Sequence, residues 1–190
     1  MTVILLTPRR FADERGWFME TYHESRYRDL GVDATFVQDN HSLSALAGTI
    51  RGIHFQRAPY AQAKLVRCLR GRIFDVAVDL RRDSPSFGHH VAAELSAENG
   101  HQLFIPAGYG HAFMTLEPDC EVAYKVDANY APETEGGVRW DDPRLAIKWP
   151  LKAAGVSIPV LSAKDEILPQ LADLAVDLDY DGRPLLSIHS

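Results

Sequence analysis

Between residues 74 and 80 the chain alternates strictly. Phe74, Val76, Val78 and Leu80 are separated by Asp75, Ala77 and Asp79. A period of two predicts a strand with one buried face and one open face. Further strand-like runs fall at residues 4–6, 16–22, 35–40, 49–55, 64–70, 90–95, 102–105, 111–115, 121–126 and 147–149. Turn residues separate them, as in Arg70-Gly71, Asp83-Ser84-Pro85, Pro106-Ala107-Gly108 and Glu117-Pro118-Asp119. Asn99-Gly100 between apolar runs predicts a two-residue hairpin. Short strands at this spacing predict an all-β sandwich or barrel. Two stretches read as helix, residues 24–30 and 165–174. The second follows Ser162 and carries Pro169 in its first turns, where proline is best tolerated.

Composition narrows the class. The chain has 190 residues, of which 46% are hydrophobic, enough for one domain with a sizeable core. We expect a single unit over 1–190: a core barrel at about 35–150, N-terminal strands over 1–34 and a C-terminal helical segment over 151–190. The net charge is -6 with no basic run, which argues against general nucleic-acid binding. A local basic pocket for a phosphate-bearing small molecule is still compatible with it. No apolar stretch approaches the ~20 residues of a membrane span. MTVILLTPRR lacks the pattern of a secretion signal. Cys68 and Cys120 sit in apolar runs and read as reduced core residues, so the expected compartment is the cytoplasm.

Several polar side chains interrupt the strands. They are Arg51 and His54 in TIRGIHFQ, Lys64 in QAKLVRC, Tyr130 in NYAPETEGGVRW and Asp165 in LSAKD. In a small barrel, distant strands bring such groups around one cavity. A neutral imidazole is a base at cellular pH, and a carboxylate fixes its tautomer and stabilises the imidazolium. An ammonium at a ketone oxygen stabilises an enolate, and a phenol on the other side returns a proton. One base, one acid on the opposite face and one cation are the requirements of epimerisation beside a carbonyl. Each residue also has a plain structural use. His54 and Tyr130 fit as hydrogen-bonded core, Lys64 as a snorkelling edge residue, and Asp165 as a helix cap. Arg51 and His54 are three apart, so an ideal strand points them to opposite faces; a bulge at Gly52 would let both reach one cavity.

Histidine spacing argues against a metal. His54 is followed by Gln56 with no His-x-His pair, His89 and His90 are adjacent, and His111 stands alone. A catalytic metal needs three or four convergent ligands, so none is expected. His89 and His90 read as surface residues. Asp75 either bonds into the cavity or alternates outward.

The motifs DERGWFMETY, QDNHS, RGIHFQ, QAKLVRCLRGRIFDVAVDLR, FIPAGYGHAF, YKV with NYAPETEGGVRWDDP, and LSAKD occur in this order from about Phe11 to Leu171. Together they resemble the dTDP-4-dehydrorhamnose 3,5-epimerases. The resemblance implies a cupin-type jelly-roll barrel (a double-stranded β-helix) with a few short peripheral helices. It implies a homodimer, no cofactor, and a dTDP-linked 4-keto-6-deoxy sugar as substrate. It further implies His54 as base, Asp165 as its partner, Tyr130 as proton donor and Lys64 near the enolate oxygen. Arg15, Phe18, Glu20, Gln38, Asn40, Arg51, His111 and Lys164 fall where the family binds nucleotide or sugar. Among these, Arg15 and Arg51 suit a diphosphate, Gln38 and Asn40 suit the thymine edge, and Phe18 shares a face with Glu20 for packing on the ligand. Two departures are local: Ala112 follows His111 where the family often has glycine, and Gln170 takes a commonly apolar position. Relatives with the same groups act at C3 only or C5 only, and a non-catalytic nucleotide-sugar binder or a metal-dependent cupin enzyme are the other readings. N-terminal strands covering a partner's sheet edge would bring residues of one chain to the other's pocket.

Overall fold

A computed structural model of the chain describes residues 1–174 and 177–188. Strands form at β1 (Ile4–Leu6), β2 (Arg10–Asp13), β3 (Gly16–Met19), β4 (Gln38–Ser44), β5 (Ile50–Gln56) and β6 (Lys64–Arg70). They continue with β7 (Arg72–Asp79), β8 (His90–Ser96), β9 (Gln102–Ile105), β10 (Tyr109–Thr115), β11 (Cys120–Val126) and β12 (Glu135–Gly137). Helix among the described residues is confined to α1 (Glu24–Asp29), α2 (Ala163–Glu166) and single 3-10 turns at Pro132–Thr134 and Leu171–Asp173.

One sheet has the order β1-β9-β6-β11-β4 and the other β12-β5-β10-β7-β8, while β2 and β3 form a separate hairpin. Every strand pair is antiparallel, and the barrel pairs nest. Strand β4 pairs with β11, β5 with β10, β6 with β9 and β7 with β8. First-with-last pairing through eight strands is the jelly roll, so the expected all-β, cupin-type barrel is the fold. The nesting follows from turns that send the chain from one sheet to the other. Gly71 is such a corner, with φ 77° between β6 and β7. A Cβ there would stand 2.6 Å from the Cys120 sulfur, so glycine is needed both for the turn and for the close approach.

The barrel interior is apolar around Val66, Ile73, Ala77, Leu103, Phe113 and Val122, with the free thiols of Cys68 and Cys120 among them. Burial pushes the Cys68 thiol up to about 12. A second cluster lies outside β7 and β5, where Val76, Val78, Leu80, Ile53 and Phe55 meet Leu145, Leu171 and Leu178 from the C-terminal segment. Strand β7 is therefore buried on both faces. Its apolar residues Val76 and Val78, with Leu80 just after it, pack outward under that segment, and Asp75 and Asp79 alternate with them on the side that looks between the sheets. This corrects the expectation of one open face: a long C-terminal segment covers what a lone sheet would expose to water. Asp79 is stabilised there by Arg81, itself 1% exposed, and by Ser84 and Ser86.

Other expectations are also corrected. Residues 165–174 do not form one helix. Helix α2 stops at Glu166, before the residue preceding Pro169, where proline disfavours helical backbone. The segment 151–190 is mostly irregular where described, and 175–176 and 189–190 lie outside the described residues. Residues 147–149 form no strand; Ile147 and Trp149 cover the second cluster instead. Asn99-Gly100 does not close a hairpin, because β8 and β9 belong to different sheets. The Asn99 side chain holds that crossing by accepting bonds from the Ser96 and His101 amides. Strands β2 and β12 went unpredicted: β2 is short and largely exposed, and β12 carries two glycines.

Strand β5 contains the irregularity on which the site depends. His54 pairs with His111, and Arg51 with Phe113, so two residues of β5 face one of β10. This bulge, with Gly52 at φ 110°, resets the alternation. Ile50, Ile53 and Phe55 point into outer clusters, while Arg51 and His54 share the inner side. A Cβ on Gly52 would lie 2.5 Å from the His111 carbonyl oxygen. Gly52→Ala is expected to cost about 2–4 kcal/mol and to lower Tm by roughly 5–15 °C, read by calorimetry; an unchanged Tm would contradict the bulge.

Candidate active site

The cleft lies between the sheets, where β4 edges one and β12 with β5 edges the other. It has two adjoining lobes of about 180 and 210 Å³. His54, Lys64 and Tyr124 line both lobes. Gln38, Asn40, Tyr130 and Glu135 are among the other residues of the first, and Arg51, His111, Lys164 and Asp165 among those of the second.

His54 Nε2 is 2.6 Å from Asp165 Oδ1. A bond to a carboxylate requires the proton on Nε2, which leaves the Nδ1 lone pair as the basic position. Asp165 is 3% exposed and is the third residue of α2, behind the cap Ser162. The Ser162 hydroxyl accepts from the Asp165 amide and donates to Asp165 Oδ2 at 2.9 Å. Ser-x-x-Asp at a helix start is a capping arrangement, here turned toward a histidine. Burial would raise the Asp165 carboxyl, but bonds from His54 and Ser162 outweigh it and hold it low. The carboxylate is thus ionised and able to stabilise an imidazolium.

A second histidine–carboxylate pair lies deeper. His111 Nε2 is 2.6 Å from Asp75 Oδ1, with Asp75 fully buried. Burial lowers the His111 pKa, and the Asp75 charge only partly offsets this, so the ring is neutral. Lys64 forms no ion pair among the described residues, and its Nζ lies 6.0 Å from the Tyr124 ring centroid. Burial lowers its pKa to about 8, against the raising charges of Asp75 and Glu135. It is a poised cation at neutral pH.

At the rim, Tyr130 is 54% exposed, and its hydroxyl donates to Glu135 Oε2 at 3.0 Å. The bond to Glu135 raises the Tyr130 pKa. Lys164 pairs with the other Glu135 oxygen at 2.5 Å. The Gln38 side chain accepts from the Tyr130 amide and donates to Asn40. Arg51 is tethered to Ser44 and the Leu43 carbonyl.

Nine of the twelve residues singled out from sequence therefore share this cleft. Arg15, Phe18 and Glu20 do not. Arg15 and Phe18 sit on the β2–β3 hairpin away from it, Arg15 pairing with Asp13 and Phe18 69% exposed. Glu20 pairs with Arg26. Sequence reading assigned no site role to Tyr124, Glu135 or Ser162, although all three lie in the motifs quoted above. Tyr124 was legible as a member of the Cys120, Val122, Tyr124 inward set of β11. Glu135 looked like one more loop acid.

A base with an ionised partner, a half-buried cation and two phenols line one cleft, a set of groups able to move protons beside a carbonyl. The sequence matches the profile of the dTDP-4-dehydrorhamnose 3,5-epimerases over residues 1–173. It is 51% identical over 178 residues to such an epimerase from Sinorhizobium fredii, covering 94% of this chain and 89% of the relative. Among solved structures, the epimerase of Bacillus anthracis with TDP and PPi bound is similar at TM-score 0.83 and 51% identity, covering 87% of this chain and 92% of that one. A dTDP-6-deoxy-D-glucose-3,5-epimerase of Legionella pneumophila, in complex with dTDP-4-keto-L-rhamnose, gives TM-score 0.87 at 41% identity, covering 94% and 93%. The chain belongs to the dTDP-4-dehydrorhamnose 3,5-epimerase family, and it is an isomerase. A more distant similarity, TM-score 0.81 at 35% identity over 90% of this chain and 83% of that one, is to ChmJ, a 3'-monoepimerase of Streptomyces bikiniensis. It is a double variant with one histidine and one tyrosine, seventy residues apart, replaced.

Lys64 also makes a stability prediction. The folded side chain loses its proton at about 8, the unfolded one near 10.5. Between these values the unfolded state binds more protons, so stability rises with pH. Lys64→Met is expected to raise stability by about 1–3 kcal/mol at pH 7, with the gain shrinking above pH 8; denaturant titrations at pH 7 and 10 measure it.

Proposed function

We propose that the cleft inverts C3 and C5 of dTDP-4-keto-6-deoxy-D-glucose and yields dTDP-4-keto-L-rhamnose. The observation that carries this reading is the His54–Asp165 pair in one cleft with Lys64 and Tyr124. The C4 ketone acidifies the C–H bonds at C3 and C5. His54 Nδ1 takes the proton, and Asp165 stabilises the resulting imidazolium. Lys64 meets the negative charge that develops on the C4 oxygen. A phenol then delivers a proton to the opposite face. Arg51 and Lys164 suit the diphosphate, Gln38 and Asn40 the base, and neutral His111 the sugar. The charge at C4 is met by a side chain, so no metal or cofactor is required.

Two tyrosines compete for the acid. Tyr124 is favoured by its position beside both His54 and Lys64, and it lies seventy residues after His54, the spacing of the pair replaced in ChmJ. Tyr130 is exposed and engaged by Glu135, which suits a role at the mouth. In heavy water, NMR is expected to follow deuterium into both C3 and C5; uptake at one carbon selects a mono-epimerase, and none at all overturns the proposal. His54→Ala is expected to abolish exchange. Tyr124→Phe is expected to lower kcat more than 100-fold, roughly the worth of a general acid, and Tyr130→Phe chiefly to raise KM; the reverse outcome returns the acid role to Tyr130.

We further infer a homodimer acting in the cytoplasm. Phe11, Trp17 and Phe18 are half or more exposed on the β2–β3 hairpin, and a lone hairpin is marginally stable in water. Arg15, Phe18 and Glu20, which lie off their own chain's cleft, would serve the partner's. Light scattering is expected to give about twice 21.2 kDa. Phe18→Glu is expected to give a monomer that binds dTDP at least ~10-fold more weakly, as loss of one buried contact of ~1.4 kcal/mol implies; a wild-type monomer with full activity would overturn the inference.

A further inference from the structure

Asp75 stands apart from the groups used so far. It is fully buried on β7, a strand covered on both faces. One carboxylate oxygen is bonded to His111, and the other is buried with no hydrogen-bond partner among the described residues. An unsatisfied carboxylate oxygen inside a protein is costly. Its cost falls if a positive charge lies close by. Lys64, which lines the same lobe as His111, has no ion-pair partner among the described residues.

We propose that Asp75 is a positioning residue that keeps Lys64 cationic while fixing the ring of His111 beside it. The claim rests on the reading of Lys64 as the group at the enolate oxygen, since only a charged lysine serves there. The charges facing Lys64 support the choice of Asp75. Asp75 and Glu135 are the carboxylates whose charges raise the Lys64 pKa, and the Asp75 effect is the larger. Glu135 is already bonded to both Lys164 and Tyr130. Asp165 is taken up by His54 and Ser162. Arg51 and Lys164, the other cations of the lobe, and any second proton on the ring of His54 or His111 oppose a charge on Lys64. Tyr124 offers it only a ring face. Asp75 is thus the buried anion that tips the balance.

The test uses Asp75→Asn, which keeps the shape and can still bond His111. Catalysis through charged Lys64 must fail as pH rises past the lysine's pKa. In the wild type this alkaline limb is expected near about 8. In Asp75→Asn it is expected to move down by roughly one unit, with kcat falling about threefold at pH 7.5 and approaching tenfold at pH 9, and with dTDP affinity at pH 7.5 changed less than about twofold. A variant of normal Tm whose limb does not move overturns the proposal. If Asp75→Asn does not fold, NMR titration of the wild type labelled at the lysine ε-carbon decides. Lys64 is expected to titrate near about 8 together with an inflection in the His111 ring signals. Titration at the ordinary lysine value, or no coupling to His111, overturns it. That titration needs no substrate, so it stands even if the wild type proves to exchange no sugar protons, a result that would overturn the functional reading alone.

Discussion

Lys64 points into the space between two sheets, where water is scarce and a positive charge is expensive. A fully solvated ammonium is too well stabilised by water to respond strongly to an enolate. A fully desolvated one loses its proton. The cleft holds the lysine between these limits, with burial pulling one way and buried carboxylates the other. The same balance recurs around it. Asp165 is buried but held ionised by two hydrogen bonds, and His111 stays neutral despite an adjacent carboxylate. The chemistry therefore depends on where charge is buried more than on which residues are present.

The jelly roll supplies that burial at a defined place. Nested strand pairing brings β4 and β11 opposite β5 and β10, although these strands are far apart in sequence. Apolar side chains fill most of the interior, and polar ones line the side that opens between the edge strands. A regular β5 would present either Arg51 or His54 to this space. One extra residue at Gly52 presents both, and only glycine fits so close to the β10 backbone.

The C-terminal segment contributes in two ways. Its short helix α2 delivers Asp165 to His54. Further on, Leu171 and Leu178 cover the outer face of β7 and β5. That cover makes β7 a strand buried on both sides, so Asp75 and Asp79 become interior acids that need partners. Asp79 is held by Arg81 and two serines, Asp75 by His111. Outer packing and inner electrostatics are linked through one strand.

Much of this was legible in the chain. Period-two runs and turn residues marked most strands, and motif order carried the family and nine cleft residues. Local pattern misled where distant segments intervened. Asn99-Gly100 looked like a hairpin but crosses between sheets, and the alternation at Asp75 left open whether it faced the cavity or water, where the fold buries it fully. Tyr124 and Tyr130 both lie in the matched motifs, and only Tyr130 was given a role, because standing beside both His54 and Lys64 is not visible in the chain. The residue types able to take, hold and return a proton were determined by sequence alone. Which of them meet, which are desolvated and which carry charge was decided only by the tertiary structure, because a pKa belongs to a side chain's surroundings and those come from strands remote in the chain.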